Sequence, residues 1–167
     1  MKKDIIYLIG FMGSGKTTIG KAFSVLQGYT FIDLDEFIKA KHGMEIPQIF
    51  KTFGEQVFRE WETTALKECS KMEKVLIATG GGIIENQRNF DVMNRNGVII
   101  YLKADFDTIY ERIKHDSNRP ITQEGLEGLK KRFNLRLPKY EQAKFTIDTE
   151  TKSIQQTVRE LQEKMDV

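Results

Sequence analysis

The chain has 167 residues, 40% of them hydrophobic and 30% charged, with a formal net charge of +2. That length supplies one ordinary core without metal or disulfide staples, so residues 1–167 are read as one domain. Charge this balanced argues against a nucleic-acid partner, no apolar run approaches the length of a membrane span, and the lone Cys69 argues against a disulfide scaffold. The first strand begins almost at once, without a charged-then-apolar leader, so a cytoplasmic, reducing setting and a monomer with small-molecule partners are expected.

Ile5 to Ile9 reads as a short buried strand, and Gly10-Phe11-Met12-Gly13-Ser14-Gly15-Lys16-Thr17 follows it directly, matching G-x-x-x-x-G-K-[ST]. Glycines at this spacing let successive backbone N–H groups curl round phosphates, and the helix starting near Lys16 adds its positive end. The Lys16 ammonium reaches β and γ phosphates, and Thr17 offers a hydroxyl suited to Mg²⁺. The pattern predicts a nucleoside triphosphate ligand. Ile19, Ala22, Phe23 and Leu26 then recur at helical spacing as a core face.

Tyr29 to Ile32 reads as the second strand, leading into Asp33-Leu34-Asp35-Glu36. Asp33 and Glu36 have the spacing of a capping box, so Asp33 is either a helix cap or a functional carboxylate. Asp35 is not needed for capping and is free to meet a substrate hydroxyl or a hydrated metal. Arg59 shares a helix with Phe58, Trp61, Ala65 and Cys69. Its helical neighbours Glu55 and Glu62 explain it as a salt-bridged residue, unless it faces a ligand. Cys69 falls in register as a small buried hydrophobe.

Val75 to Ala78 is the third strand, and Gly80-Gly81-Gly82 lies beyond its carboxyl end, where open α/β sheets place ligands. Val98 to Leu102 and Phe145 to Ile147 complete five strands, which alternate with helical stretches as in a layered fold with a mainly parallel sheet. Residues 115–125 form a polar, poorly periodic stretch that reads as a lid, with Arg119 biased to an extended backbone by Pro120. Arg136 stands two residues before Pro138, which is expected to end or bend the helix, and its guanidinium is then either aimed inward or left at the surface. Ile154, Val158, Leu161 and Met165 make a last helical core face.

The ordered set of Gly10 to Thr17, Asp33-Leu34-Asp35, Gly54-Glu55-Gln56-Val57-Phe58-Arg59-Glu60, Gly80-Gly81-Gly82, Arg119-Pro120 and Arg136-Leu137-Pro138-Lys139-Tyr140 resembles the shikimate kinase family of P-loop kinases. The family usually has leucine where Ile121 and Lys139 stand, departures that touch packing more than charge. The resemblance implies a three-layer α/β/α sandwich with a five-stranded parallel sheet and a mobile lid over about residues 112–125. It also implies transfer of the γ-phosphoryl of MgATP to the 3-hydroxyl of shikimate. By position, Gly13, Ser14, Gly15, Lys16, Thr17 and Thr18 resemble the phosphate-binding residues, Arg112 and Lys152 the adenine side, and Arg119 the lid arginine. Asp35 resembles the hydroxyl-binding aspartate and base, Arg59 and Arg136 the carboxylate-binding pair, and Gly81 the substrate-contacting glycine. Asp33 joins Thr17 at the Mg²⁺, and Phe50 and Phe58 resemble the walls of the acceptor pocket.

Overall fold

In a computed structural model of the protein, described for residues 4–115 and 125–166, the five apolar runs are strands. They are β1 (Ile5–Ile9), β2 (Thr30–Asp33), β3 (Val75–Ala78), β4 (Val98–Lys103) and β5 (Phe145–Asp148), paired in parallel in the order β2-β3-β1-β4-β5. Parallel strands are covered on both faces, which is why β1 and β3 are buried throughout. Their side chains sort by parity. Ile6, Leu8, Leu76, Ile100 and Leu102 pack with Ile19 and Phe23 of α1 (Lys16–Gln27) and with Val158 and Leu161 of α7 (Ile154–Met165). Ile5, Tyr7, Ile9, Val75, Ile77, Ile99 and Tyr101 face the other way. There they meet α2 (Leu34–His42), α3 (Ile46–Cys69), α4 (Gln87–Asn96), α5 (Phe106–Ile113) and α6 (Gly125–Tyr140).

Three local readings change in the fold. Leu26 is 65% exposed, because the buried stripe of α1 runs through Ile19, Gly20, Phe23 and Ser24 and leaves Leu26 about a quarter-turn aside. Ile154 is half exposed, since as the first residue of α7 it borders an open cleft instead of the core. Pro138 does not end α6, which runs on to Tyr140; so near the terminus, the missing N–H forgoes only one late intrahelical bond. Arg136 is nonetheless turned inward and buried.

Gly54 divides α3. Its φ of 86° and ψ of 168° are open to glycine and strained for other residues, and they redirect the chain between the Phe50 and Phe58 turns. Phe50 and Phe58 are thereby brought into contact, with ring centroids 4.6 Å apart and planes tilted by 37°. Every strand points its carboxyl end to one edge of the sheet, so Gly10 to Thr17, Asp33 to Asp35, Gly80 to Gly82 and Thr149 to Lys152 converge there.

Candidate active site

The converging loops line a cleft of about 740 Å³. At one end, Gly15 precedes α1, and the backbone from Gly13 to Thr18 borders the cavity. Lys16 Nζ donates to the carbonyls of Gly10 at 2.6 Å and Phe11 at 3.0 Å, which folds the ammonium over its own loop. Thr17 Oγ1 donates to Asp33 Oδ2 at 3.0 Å. The other Asp33 oxygen accepts from Glu36 N at 3.1 Å, so one carboxylate both caps α2 and holds the Thr17 hydroxyl. The capping reading of Asp33 is thus met, with its second oxygen turned to Thr17.

Arg112 closes the last turn of α5 and reaches across to the nucleotide-loop carbonyl of Gly13 at 3.1 Å and to Thr149 Oγ1 at 3.4 Å. Lys152 also borders the cleft and pairs with Glu160 of α7 at 2.5 Å. Arg119 and the middle of the expected lid, residues 116–124, lie outside the described residues. The flanks of that lid are Arg112 and Ile113 in α5 and Gly125 at the start of α6.

At the other end, Asp35, Arg59 and Arg136 meet around Gly80-Gly81-Gly82. Asp35 Oδ1 is buried without a hydrogen-bond partner among the described residues. Burial raises the pKa of its carboxyl, the charge of Asp33 adds to the rise, and Lys16 and Arg59 oppose it. A buried acceptor with no donor facing it, beside a phosphate-binding loop, is suited to receive a hydroxyl proton. Arg136 is 6% exposed, and Arg59 is partly buried with its guanidinium 5.4 Å from the Phe58 ring.

Each glycine of the triplet touches one of these groups. A Cβ at Gly80 would sit 3.2 Å from Asp35 Oδ1, one at Gly81 3.3 Å from Arg136 Nη1, and one at Gly82 2.5 Å from Arg59 Nη2. Tyr140 Oη donates to the Gly81 carbonyl at 2.5 Å, which fixes the turn against α6. The triplet is thus a close approach of backbone to three charged side chains, beyond its service as a turn.

Two acidic residues complete this end: Glu62, legible in the sequence only as a helical partner of Arg59, and Glu85, which does not stand out there. Glu62 is 1% exposed, and Oε1 accepts from Arg59 Nη1 at 3.0 Å. Burial lifts its carboxyl to about 7 against the pull of Arg59, and Oε2 has no hydrogen-bond partner among the described residues. Glu85 ends a single 3₁₀ turn, Ile83–Glu85, and meets both arginines: Oε1 is 3.3 Å from Arg136 Nε and Oε2 3.7 Å from Arg59 Nη2. Helical spacing foretells the Arg59–Glu62 pair but not its burial. Glu85 is brought in by the 3₁₀ turn, which leaves no periodic trace. Arg132, one turn before Arg136 on α6, also borders the cleft.

The sequence profile of the shikimate kinase family matches residues 12–166. A shikimate kinase of Bacillus cereus (strain AH187) is 44% identical over 161 residues, 96% of this chain and 97% of that protein. A shikimate kinase of Thermodesulfovibrio yellowstonii is 43% identical over 147 residues, 87% of this chain and 85% of that protein. Among solved structures, shikimate kinase from Acinetobacter baumannii in complex with shikimate superposes with a TM-score of 0.91 at 33% identity, covering 98% of this chain and 93% of that one. A gluconokinase from Sinorhizobium meliloti, at 15% identity and a TM-score of 0.63, shares the fold.

Proposed function

This chain belongs to the shikimate kinase family, and we propose that its cleft performs the family's reaction with the residues placed there. The enzyme transfers the γ-phosphoryl group of ATP to the 3-hydroxyl of shikimate, giving shikimate 3-phosphate and ADP, a step of chorismate and aromatic amino-acid biosynthesis. The observation that carries the residue assignment is the meeting of two guanidinium groups and an unpartnered carboxylate at the end of a phosphate-binding cleft. Shikimate is a carboxylate that bears hydroxyls, so it needs an anion clamp at one end and a proton acceptor at the other. Arg59 and Arg136 supply the clamp through charge-assisted hydrogen bonds, with the Gly81 backbone beside them. Asp35 supplies the acceptor.

ATP enters with its phosphates along Gly13 to Thr18 and its adenine beside Arg112, with Lys152 at the margin. Lys16 leaves the Gly10 and Phe11 carbonyls to meet the β and γ phosphates. The 3-hydroxyl oxygen forms its bond to the γ-phosphorus as the bond to the β–γ bridging oxygen breaks, and its proton passes to Asp35. ADP carries away the bridging oxygen. Arg119, from the lid, meets the charge that spreads over the transferring group and helps exclude water.

Mg²⁺ fits the same end. Thr17 Oγ1 and Asp33 already share a hydrogen bond, and a hydroxyl with a nearby carboxylate is an oxygen set for a hard cation that takes its remaining ligands from phosphates and water. Bound there, Mg²⁺ supplies charge neutralisation on the triphosphate. We place the enzyme in the cytoplasm as a monomer; among the described residues no helix is long and apolar enough to cross a membrane.

Calorimetric titration tests the clamp. Arg59→Ala and Arg136→Ala should each weaken shikimate binding by about 2–4 kcal/mol, the scale for truncating a charge-assisted contact at a desolvated site, with little change for ATP. Unchanged shikimate affinity in both variants would return the two arginines to purely structural ion pairs.

A further inference from the structure

The arginine pair is already engaged by a carboxylate of the chain itself. Glu85 spreads its two oxygens over two guanidinium groups, Oε1 toward Arg136 Nε and Oε2 toward Arg59 Nη2, as an incoming carboxylate would do. The distances, 3.3 and 3.7 Å, exceed the usual 2.7–2.9 Å or so of a tight charge-assisted bond. Its side chain is 40% exposed, whereas the Glu62 side chain is 1% exposed and bonded to Arg59 at 3.0 Å. Glu62 is built into the wall. Glu85 stands at the rim on a short turn and holds its partners loosely.

The charge around the clamp explains why this matters. Arg59, Arg132, Arg136 and Lys139 face Asp35, Glu55, Glu62 and Glu85, so the fully ionised cluster offers an arriving anion no net positive charge. Desolvation disfavours a carboxylate entering such a site unless one of the resident anions gives way. Asp35 and Glu62 are confined by burial, and Glu55 touches Arg59 alone at 3.5 Å among its described ion pairs. Glu85 has both the position on the two guanidinium groups and the route to solvent.

We infer that Glu85 is a displaceable counter-ion of the Arg59–Arg136 pair: it holds the two guanidinium groups in the free enzyme and yields them to the substrate carboxylate. This rests on the reading of those arginines as the carboxylate clamp. On binding, the substrate carboxylate takes over the guanidinium contacts and Glu85 turns to water, so no charged group is left buried and unpaired. Glu85 is a positioning residue that tunes affinity for the acceptor, not a group in contact with the reacting atoms.

The test is calorimetric titration of shikimate, and of its uncharged methyl ester, into the wild type and into Glu85→Gln, Glu85→Ala and Glu85→Asp. Removing the resident charge should tighten shikimate binding in the Gln and Ala variants by about two- to fivefold, the range for releasing a half-exposed ion pair. The Asp variant should fall back toward wild type. The methyl ester should gain nothing, and KM for shikimate should drop in the Gln variant while kcat stays near the wild-type value. Unchanged or weaker shikimate binding in both uncharged variants, or an equal gain for the ester, overturns the displacement. Arg136→Ala, titrated in parallel, separates the two levels. If it loses shikimate binding while the Glu85 variants gain none, the clamp stands and the counter-ion role falls; if it loses nothing, the clamp reading itself falls.

Discussion

Gly82→Ala is a one-carbon probe of the acceptor site. The backbone at Gly82, φ −93° and ψ 5°, is open to any residue, so alanine brings no conformational strain of its own. Its Cβ, however, would lie 2.5 Å from Arg59 Nη2, 2.6 Å from Nη1 and 2.8 Å from Cζ. The guanidinium must retreat by about 1 Å to regain ordinary contact distance. That movement lengthens the 3.0 Å Arg59–Glu62 bond and draws Arg59 off its position in the proposed clamp. Loosening one charge-assisted bond at a largely buried site should cost stability about 1–2 kcal/mol, and misplacing half of the clamp should weaken shikimate by roughly 10- to 100-fold. ATP, whose proposed phosphate contacts run along Gly13 to Thr18 and do not include Arg59, should keep its affinity. Calorimetry with each ligand, together with a thermal melt, reads all three quantities. Normal shikimate affinity in Gly82→Ala, alongside impaired affinity in Arg59→Ala, would refute the steric reasoning.

Two further outcomes follow from the buried carboxyls. Asp35→Asn should retain the fold and ATP binding while kcat falls by about 10² or more, as expected for loss of a positioned proton acceptor; near-normal steady-state turnover would remove Asp35 from the reaction. Glu62 binds its proton more tightly in the fold, at about 7, than at the ordinary 4.5. Its contribution to stability is therefore complete below 4.5 and is lost as pH rises through 7. Across that window the wild type should lose on the order of 3 kcal/mol relative to Glu62→Gln, measured by denaturant melts at a series of pH values. A stability difference independent of pH would contradict a carboxyl held up by burial.

The sheet was legible because parallel strands, buried on both faces, leave continuous apolar runs; their bounds in the structure differ from the runs by at most a residue. Gly10 to Thr17 was legible because backbone wrapping around phosphate demands glycines at fixed spacing. Asp33 was legible as a helix cap from its spacing to Glu36, and the fold uses one carboxylate oxygen that way while the other holds Thr17. Leu26 and Ile154 misled because helical periodicity reports an apolar stripe without saying what lies opposite it. Glu85 was invisible for a related reason. Its place depends on where a 3₁₀ turn meets a helix 51 residues further along, and long-range juxtaposition of that kind leaves no local pattern. Glu62 was seen as a helical partner, but its burial arises from the packing of α3 against the glycine triplet.

The most direct measurement of the central claim is ADP release by the purified protein with MgATP and, in turn, shikimate, quinate, gluconate and AMP as acceptors, with the phosphorylated product identified by phosphorus NMR. Shikimate should be the strongly preferred acceptor and its 3-hydroxyl the phosphorylated position, because the proposed clamp of Arg59 and Arg136 takes the carboxylate and leaves that hydroxyl to Asp35. Faster turnover of gluconate or AMP, or phosphate on another hydroxyl of shikimate, would contradict it.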